Sequence, residues 1–229
     1  MSTLALEQEI VFNKYIQGEN IFITGPGGTG KTYLIKKIVK HAQENNKSYN
    51  VCALTGCAAI LLMCGATTLH AFAGIGLATG TIEEVVARVL KSRHKRSNWS
   101  KTKMLIVDEV SMLSLKILRI IDIIGRKVKK NHHIPFGGIQ IIFSGDFYQL
   151  PPIGDENDPE SMQFCFETDL WNEIFPLENQ IQLKTIYRQT DQNYIKILNQ
   201  LRVGKITSSS IAILNKCIKE SKESKESKP

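Results

Sequence analysis

The sequence predicts an α/β domain in which a mostly parallel β-sheet is sandwiched between helices. Short apolar segments alternate with helical patterns, and each apolar segment is followed at once by small or charged residues. Strands buried on both faces have this composition, and ligands bind where such strands end. The predicted strands are residues 20–24, 50–54, 104–107 and 139–144, and the predicted helices are residues 6–17, 33–45, 57–64, 82–90 and 113–128.

The composition is that of a globular domain with excess positive charge. Of the 229 residues, 42% are hydrophobic and 22% are charged, enough to bury a sizeable core. The net charge of +7 is compatible with a polyanionic partner, although charge alone supports nucleic acid only weakly. Two charged runs, the basic residues 88–103 and the acidic residues 155–160, are expected to be exposed loops.

The cysteines and the amino terminus indicate an intracellular protein. No apolar run approaches the roughly 18 residues of a membrane span, and Glu7 and Glu9 lie where a signal peptide would be apolar. We expect a soluble protein without membrane association, in the nucleus or mitochondrion of a eukaryote, or otherwise in the cytoplasm or a host cell. Neither a disulfide nor zinc is expected, because no Cys-x-x-Cys pair occurs among Cys52, Cys57, Cys64, Cys165 and Cys217.

A complete phosphate-binding loop lies between the first predicted strand and the helix that follows it. Its glycines let backbone N–H groups turn toward phosphates, Lys31 adds a positive charge, and the Thr32 hydroxyl is suited to Mg²⁺. The alternative, a glycine-rich turn without a ligand, does not explain the strand before and the helix after. The sequence therefore predicts a nucleoside triphosphate site at Gly25, Pro26, Gly27, Gly28, Thr29, Gly30, Lys31 and Thr32.

Two further polar segments follow predicted strands at the same sheet edge. Asp108 and Glu109 end the strand of residues 104–107, where Asp108 can hold Mg²⁺ and Glu109 can orient or deprotonate the attacking water. The alternative role is an N-cap and first-turn acid for the following helix. The segment of residues 144–152 forms a stiff polar corner, in which Gln149 is placed to respond to a γ-phosphate.

These segments together resemble the Pif (petite integration frequency) helicases, RecD-like members of superfamily one. Motif I of that family is similar to residues 25–32, motif II to residues 108–112 and motif III to residues 145–152. Residues 54–59 and 67–74 are similar to motif Ia and its extension, and residues 135–138 to the segment before motif III. The resemblance covers residues 6–202 and implies a RecA-like P-loop NTPase domain that uses ATP and Mg²⁺.

The resemblance also implies roles for individual residues at the nucleotide. It assigns Gln8 to adenine recognition, Lys31 and Thr32 to phosphate and Mg²⁺, Asp108 to the metal and Glu109 to water activation. Gln149 and Arg188 would approach the γ-phosphate, where a guanidinium stabilises the charge on the transferring phosphoryl group. Without the family resemblance, the sequence predicts that Arg188 is an ordinary surface arginine.

For DNA, the resemblance places motif Ia and residues 68–72 against a single strand. Backbone contacts and stacking faces are what sequence-independent binders use. Phe72 is as compatible with the core as with stacking, His70 is compatible with a structural hydrogen-bonded role, and the basic run is compatible with either DNA contact or solvation. The predicted set comprises Thr55, Thr68 and Ser111 for phosphates, His70 and Phe72 for stacking, and Phe136, Gly137 and Gly138 for close backbone approach.

The expected organisation is a motor domain over residues 1–205, a short helical segment over residues 206–219, and a Lys-Glu-Ser tail over residues 220–229, frayed or disordered. Pif helicases carry a second RecA-like domain, whose motifs we do not find here. We expect a monomeric 5′ to 3′ DNA helicase motor domain that grips single-stranded DNA but does not unwind alone. The alternatives are a nucleotide-dependent single-strand binding module with little turnover, and an ATPase acting on something other than nucleic acid.

Overall fold

The computed structural model describes residues 4–226, which fall into two compact units, Met1–Thr185 and Ile186–Pro229. The first unit contains the whole sheet, and the second contains two helices. The first unit therefore ends earlier than the predicted boundary at residue 205, because the last strand is complete by Gln182 and the chain then runs irregularly to residue 191.

The sheet has six strands, and every paired neighbour is parallel. The strands are β1 Ile21–Thr24, β2 Tyr49–Ala53, β3 Thr67–Thr68, β4 Met104–Asp108, β5 Gln140–Gly145 and β6 Gln180–Gln182. Their order across the sheet is β3-β2-β4-β5-β1-β6. The four predicted strands are confirmed as β1, β2, β4 and β5, with ends shifted by at most one residue, whereas β3 and β6 are too short to give a sequence signal.

Helices cover both faces of the sheet. The first unit carries α1 Leu6–Gln17, α2 Lys31–Glu44, α3 Gly56–Leu62, α4 Leu69–Ala73, α5 Ile82–Lys91, α6 Arg93–Lys101, α7 Leu115–Lys129 and α8 Asp169–Ile174. The second unit carries α9 Gln192–Arg202 and α10 Ser208–Glu226, so helix continues into the predicted tail, and residues 227–229 lie outside the described range.

Alternating side chains along the strands divide the core into two layers. Phe22 and Phe143 pack on the face that α4 to α8 cover, while Ile23 and Ile142 pack on the face of α1, α2 and α3. This period-two alternation places a buried side chain on each face of every central strand. The predicted α/β sandwich is confirmed.

The basic run of residues 88–103 is not an exposed loop. It forms the end of α5 and all of α6, which begins where the Ser92 hydroxyl accepts a hydrogen bond from the Lys95 backbone N–H at 3.4 Å. Trp99 is fully buried, and its Nε1–H donates to the Ala73 carbonyl at 3.3 Å. The loop prediction was wrong because one buried tryptophan anchors an otherwise polar helix to the core.

The acidic run of residues 155–160 is irregular apart from a 3₁₀ turn at Pro159–Ser161. Two ion pairs tie it to α7, one between Lys116 and Asp158 and one between Arg119 and Glu160. Part of the predicted exposed loop is therefore held against the domain. Within residues 4–226, no helix combines the length and the apolar character that crossing a bilayer requires.

Because all strands are parallel, their carboxyl ends meet at one edge of the sheet, here called the carboxyl edge, and their amino ends at the opposite amino edge. Thr24, Ala53, Asp108 and Gly145 end their strands at the carboxyl edge. Helix α7 returns from the carboxyl edge, so its last turn and the connection to β5 lie at the amino edge. Ligand sites in open α/β folds form at the carboxyl edge.

Candidate nucleotide and DNA site

The phosphate-binding loop joins β1 to α2 at the carboxyl edge, and its glycines adopt conformations that other residues rarely take. Gly25, Gly28 and Gly30 have φ angles of 144°, 86° and 87°. A Cβ on Gly25 would lie 2.4 Å from the Leu183 carbonyl oxygen. The loop therefore requires glycine at position 25 for both its backbone conformation and the close approach of the chain after β6.

Replacing Gly25 by alanine should destabilise the domain by at least about 2 kcal/mol, since backbone strain and the clash with Leu183 add together. Thermal unfolding measures the change. Gly27→Ala is the matched control, because no atom lies within 4 Å of its added Cβ and its φ is not in the positive region. Equal unfolding temperatures for the two variants would contradict this account of the loop.

The side chains around the loop hold its backbone in place. Lys31 Nζ donates to the carbonyl oxygens of Gly25 at 2.6 Å and Pro26 at 3.1 Å, and the buried Thr29 hydroxyl donates to Pro26 O at 2.9 Å. Gly30 is the N-cap of α2 and provides no side-chain hydrogen bond, and the first turn of α2 contains no acid. Its N-terminal N–H groups and positive dipole end are therefore available to a phosphate.

Gln8 lies in α1, against the same loop. It is only 5% exposed, its Nε2 donates to the Thr29 carbonyl at 3.5 Å, and its Oε1 accepts from the Ala5 N–H at 3.3 Å. The side chain is therefore fixed beside the phosphate loop rather than solvated. Its assignment to adenine recognition stays a prediction.

The acidic pair ends β4 next to the loop. Burial raises the pKa of Asp108, and the neighbouring Ser144 hydroxyl, the Glu109 backbone and Lys31 act in the opposite direction. Burial and the charge of Asp108 raise the pKa of Glu109, Lys31 opposes this, and Asp146 adds to it. Lys31, both acids and Asp146 therefore interact electrostatically within one site.

Glu109 has an unusual backbone for a residue that is not glycine. Its φ and ψ are 59° and 39°, in the left-handed region, and the 3₁₀ turn Val110–Met112 follows directly. Such conformations cost of order 1–3 kcal/mol and concentrate at functional sites. The turn excludes the alternative in which Asp108 and Glu109 simply begin a regular α-helix, since α7 starts only at Leu115, capped by Ser114.

The oxygen atoms beside the acidic pair are suitable ligands for a hard cation. Asp108 is a buried carboxylate, and the buried Ser144 hydroxyl makes no hydrogen bond of ordinary geometry among the described residues. No cluster of three or more His, Cys, Asp or Glu side chains suited to a metal occurs within residues 4–226. Mg²⁺ is usually held by one or two carboxylates, substrate phosphates and waters, and in P-loop enzymes a serine or threonine hydroxyl joins them.

Asp146 organises the corner that follows β5. It is 1% exposed, and its carboxylate accepts hydrogen bonds from the Tyr148 N–H at 3.3 Å and from Gln149 Nε2 at 3.4 Å. The exposed Gln149 amide is thereby directed by a buried carboxylate. The sequence analysis placed Ser144 and Asp146 in the polar corner of residues 144–152 but gave a role only to Gln149.

Three predicted DNA-contacting residues lie near the carboxyl edge. Thr55 and Thr68 cap α3 and α4, where each hydroxyl accepts a backbone N–H at 3.2 Å. His70 is partly buried in α4, and burial lowers its pKa. Burial therefore favours the neutral imidazole of His70, which lies two residues after Thr68.

Two other predicted DNA residues are buried. Phe72 is 6% exposed and packs on Trp99, with ring centroids 5.0 Å apart, so it belongs to the core and does not offer a stacking face. Ser111 is 1% exposed within the turn after Glu109, so its hydroxyl does not reach the surface. The predicted DNA contacts of Phe72 and Ser111 are therefore corrected. Packing beneath α4 and β4 buries both side chains.

The Pro135–Gly138 segment is at the amino edge and is separated from the other predicted DNA residues. Phe136 is fully buried, its backbone N–H donates to Asp122 Oδ1 at 2.7 Å, and its carbonyl lies 2.8 Å from where a Cβ on Gly125 would be. Gly137 packs on Lys129, and Gly138 is exposed. The segment is a structural turn on α7, and its prediction as part of the same DNA site was wrong.

Arg188 is exposed and lies in the second unit. It lies within the irregular segment between β6 and α9, and the Asp191 side chain caps α9. Its role at the γ-phosphate stays a prediction.

The fold and the site together define a P-loop nucleoside triphosphatase of the RecA-like class. The chain belongs to the PIF1-like helicase family, whose sequence model matches residues 3–211. The resemblance inferred from the motifs is confirmed.

Individual relatives show the extent of the similarity. The ATP-dependent DNA helicase PIF1 of Saccharomyces cerevisiae is 41% identical over 210 residues, which cover 89% of this chain and 23% of that protein. The crystal structure of Pif1 helicase from Candida albicans has a TM-score of 0.82 and 37% identity, over 92% of this chain and 46% of that chain. Bacteroides Pif1 in complex with ADP-AlF3 and ssDNA has a TM-score of 0.76 and 31% identity, over 93% and 49%. The chain thus spans about half of the matched structures and less of the curated relative.

Proposed function

We propose that this chain is the nucleotide-binding motor domain of an ATP-dependent DNA helicase that moves 5′ to 3′ along single-stranded DNA. The observation that carries the proposal is that the phosphate loop with Lys31, which follows β1, lies at the same carboxyl edge of a RecA-like sheet as Asp108 and Glu109, which end β4. The opposing effects of Lys31 on the pKa values of both acids agree with this placement. A phosphate-binding lysine and two strand-end acids are the parts that phosphoryl transfer to water requires. Family membership and relatives named as ATP-dependent DNA helicases support the same conclusion.

The residues divide the chemistry between them. Lys31 and the open N-terminus of α2 bind the phosphates, and Gln8 contacts the adenine. Asp108 and the Thr32 hydroxyl would hold Mg²⁺, which neutralises phosphate charge when bound. Glu109 orients the attacking water and accepts its proton, and Gln149, directed by Asp146, responds to the γ-phosphate.

Single-stranded DNA would lie along the same edge. Thr55 and Thr68 can donate hydroxyl hydrogen bonds to phosphates, and His70 offers a neutral ring for stacking. A relative's structure is described as bound to ssDNA, which supports this partner. Walking along DNA needs two domains that close and reopen around ATP. We therefore infer that residues 1–229 act as a monomer that binds and hydrolyses ATP, and that unwinding needs a second RecA-like domain.

The test is ATP hydrolysis and ATP binding by residues 1–229 with and without oligothymidine, in the wild type and in Lys31→Ala. We expect DNA-stimulated turnover in the wild type and its loss in Lys31→Ala, together with weaker ATP binding, because the phosphate-loop lysine supplies the positive charge that binds the phosphates and stabilises the transferring group. Lys40→Ala is the control, since it removes the same charge from an exposed position of α2.

Turnover that persists in Lys31→Ala would overturn the nucleotide site. Lys31-dependent ATP binding without turnover would favour the nucleotide-dependent single-strand binding module. Absence of any salt-sensitive binding to oligothymidine would instead overturn the DNA part of the proposal.

A further inference from the structure

A basic groove lies between α6 and the last turn of α7, at the amino edge of the sheet. Its volume is about 490 Å³, and its apolar lining residues are Leu90 and Val128. Two hydroxyl groups and four cations line the rest: Ser97, Ser100, Arg93, Arg96, Lys127 and Lys130. We call this feature the amino-edge groove.

The cations of the amino-edge groove are not neutralised by the protein. No carboxylate lines the groove, and none of its four cations forms an ion pair with another residue of the described chain. The neighbouring Arg126 differs, since it pairs with Asp122 at 2.7 Å. Four uncompensated cations around one concavity create a positive potential that attracts an anion with several charges.

Further positive charge borders the groove. Lys129 Nζ is held by the carbonyl oxygens of Ser100 at 2.7 Å and Thr102 at 2.6 Å, which ties the end of α7 to the end of α6. Lys103 is close enough to contribute to the lowered pKa of Lys129, after burial. The two helices therefore present their cations from a fixed frame.

The lining indicates which kind of polyanion fits. Single-strand binders combine cations with aromatic faces on which bases stack, and no aromatic side chain lines the groove. A duplex hides its bases and presents phosphates, which arginine, lysine and serine side chains contact without reading sequence. We propose that the amino-edge groove binds the phosphodiester backbone of double-stranded nucleic acid. The groove lies at the edge of the sheet opposite the nucleotide site.

This inference rests on the proposed function only in selecting a nucleic acid as the polyanion. A single strand held at the carboxyl edge and a duplex held at the amino edge would contact the same domain at two separate surfaces. The two surfaces share no residue, so substitutions can remove one and leave the other.

The test compares binding of a blunt duplex and of oligothymidine by fluorescence anisotropy over a range of salt concentrations. The groove variant is Arg96→Gln with Lys127→Gln and Lys130→Asn, asparagine being chosen because Lys130 has a φ of 55°. The control is Lys40→Gln with Lys196→Gln and Lys205→Gln, which removes three exposed positive charges elsewhere. We expect the groove variant to lose duplex affinity by about tenfold or more and its salt slope to fall by about 2 to 3.

Oligothymidine binding and DNA-stimulated hydrolysis should be unchanged in the groove variant, and the control should keep the wild-type duplex slope. Equal losses of duplex affinity in both variants, or none in the groove variant, would overturn the proposal. Polyglutamate bound as tightly as the duplex, and lost in the groove variant, would also overturn the assignment to nucleic acid. Failure of the proposed function is distinguishable, because it would appear in the Lys31→Ala assay and leave duplex binding intact.

Discussion

Glu109→Gln should reduce DNA-stimulated ATP hydrolysis by about 10²- to 10⁴-fold and leave ATP affinity nearly unchanged, because glutamine cannot accept a proton. Burial and the charge of Asp108 raise the pKa of Glu109, so the carboxyl group stays protonated to a higher pH than usual. A base works only when ionised, and wild-type turnover should therefore fall on acidification from a pH above the ordinary carboxyl range. Steady-state hydrolysis across pH, with separate nucleotide-binding measurements, checks both effects.

The residual turnover of Glu109→Gln should lack that acid limb. The matched control is Glu83→Gln, which makes the same change at an exposed position of α5 and should keep the wild-type rate and pH profile. A Glu109→Gln variant that turns over at the wild-type rate would remove Glu109 from the chemistry and return it to a structural role at the turn.

Arg188→Ala should have the second large effect, a loss of about 10³-fold or more in stimulated hydrolysis, if its guanidinium acts on the γ-phosphate. Arg188→Lys should recover little, because an ammonium group does not reproduce the planar fork of donors. Single-turnover hydrolysis separates this loss from any change in ATP binding. Lys196→Ala, which removes an exposed charge from the same unit, is the control.

Rates within about twofold of the wild type for Arg188→Ala would identify a surface arginine, whose ion pairs contribute little. The outcome would show which domain supplies the cation that acts on the γ-phosphate. A large loss would mean that this chain supplies its own cation to the transition state, whereas no loss would leave that role to another domain.

The fold was predictable because its signal is local and repeated. Each of β1, β2, β4 and β5 is a nearly continuous apolar run between turn signals, which is how strands buried on both faces read. β3 and β6 have only two and three residues, and each pairs with a longer strand, β2 and β1 respectively. Helix α6 was not predicted, because its sequence is polar throughout except for Trp99. Burial of that single side chain depends on tertiary packing.

The nucleotide site was more predictable than the DNA site for a related reason. Phosphate loops and strand-end acids owe their positions to parallel strands ending at one edge, which sequence order alone specifies. Exposure of Phe72 and Ser111 instead depends on what packs over them, and the place of Pro135–Gly138 depends on where α7 ends. Motif spacing along the chain carries none of that information.

Close backbone packing at Gly145 has a mechanical consequence. A Cβ there would lie 2.9 Å from the backbone nitrogen of Val110, so the end of β5 sits directly against the turn that follows Glu109. Asp146, the next residue, holds the amide of Gln149. A displacement of Gln149 that pulls on Asp146 should therefore also move the adjacent Gly145. The backbone of Gly145 packs directly against the backbone that follows Glu109. In the proposed mechanism, Gln149 responds to the γ-phosphate and Glu109 activates water, and this contact is expected to make the two residues shift together.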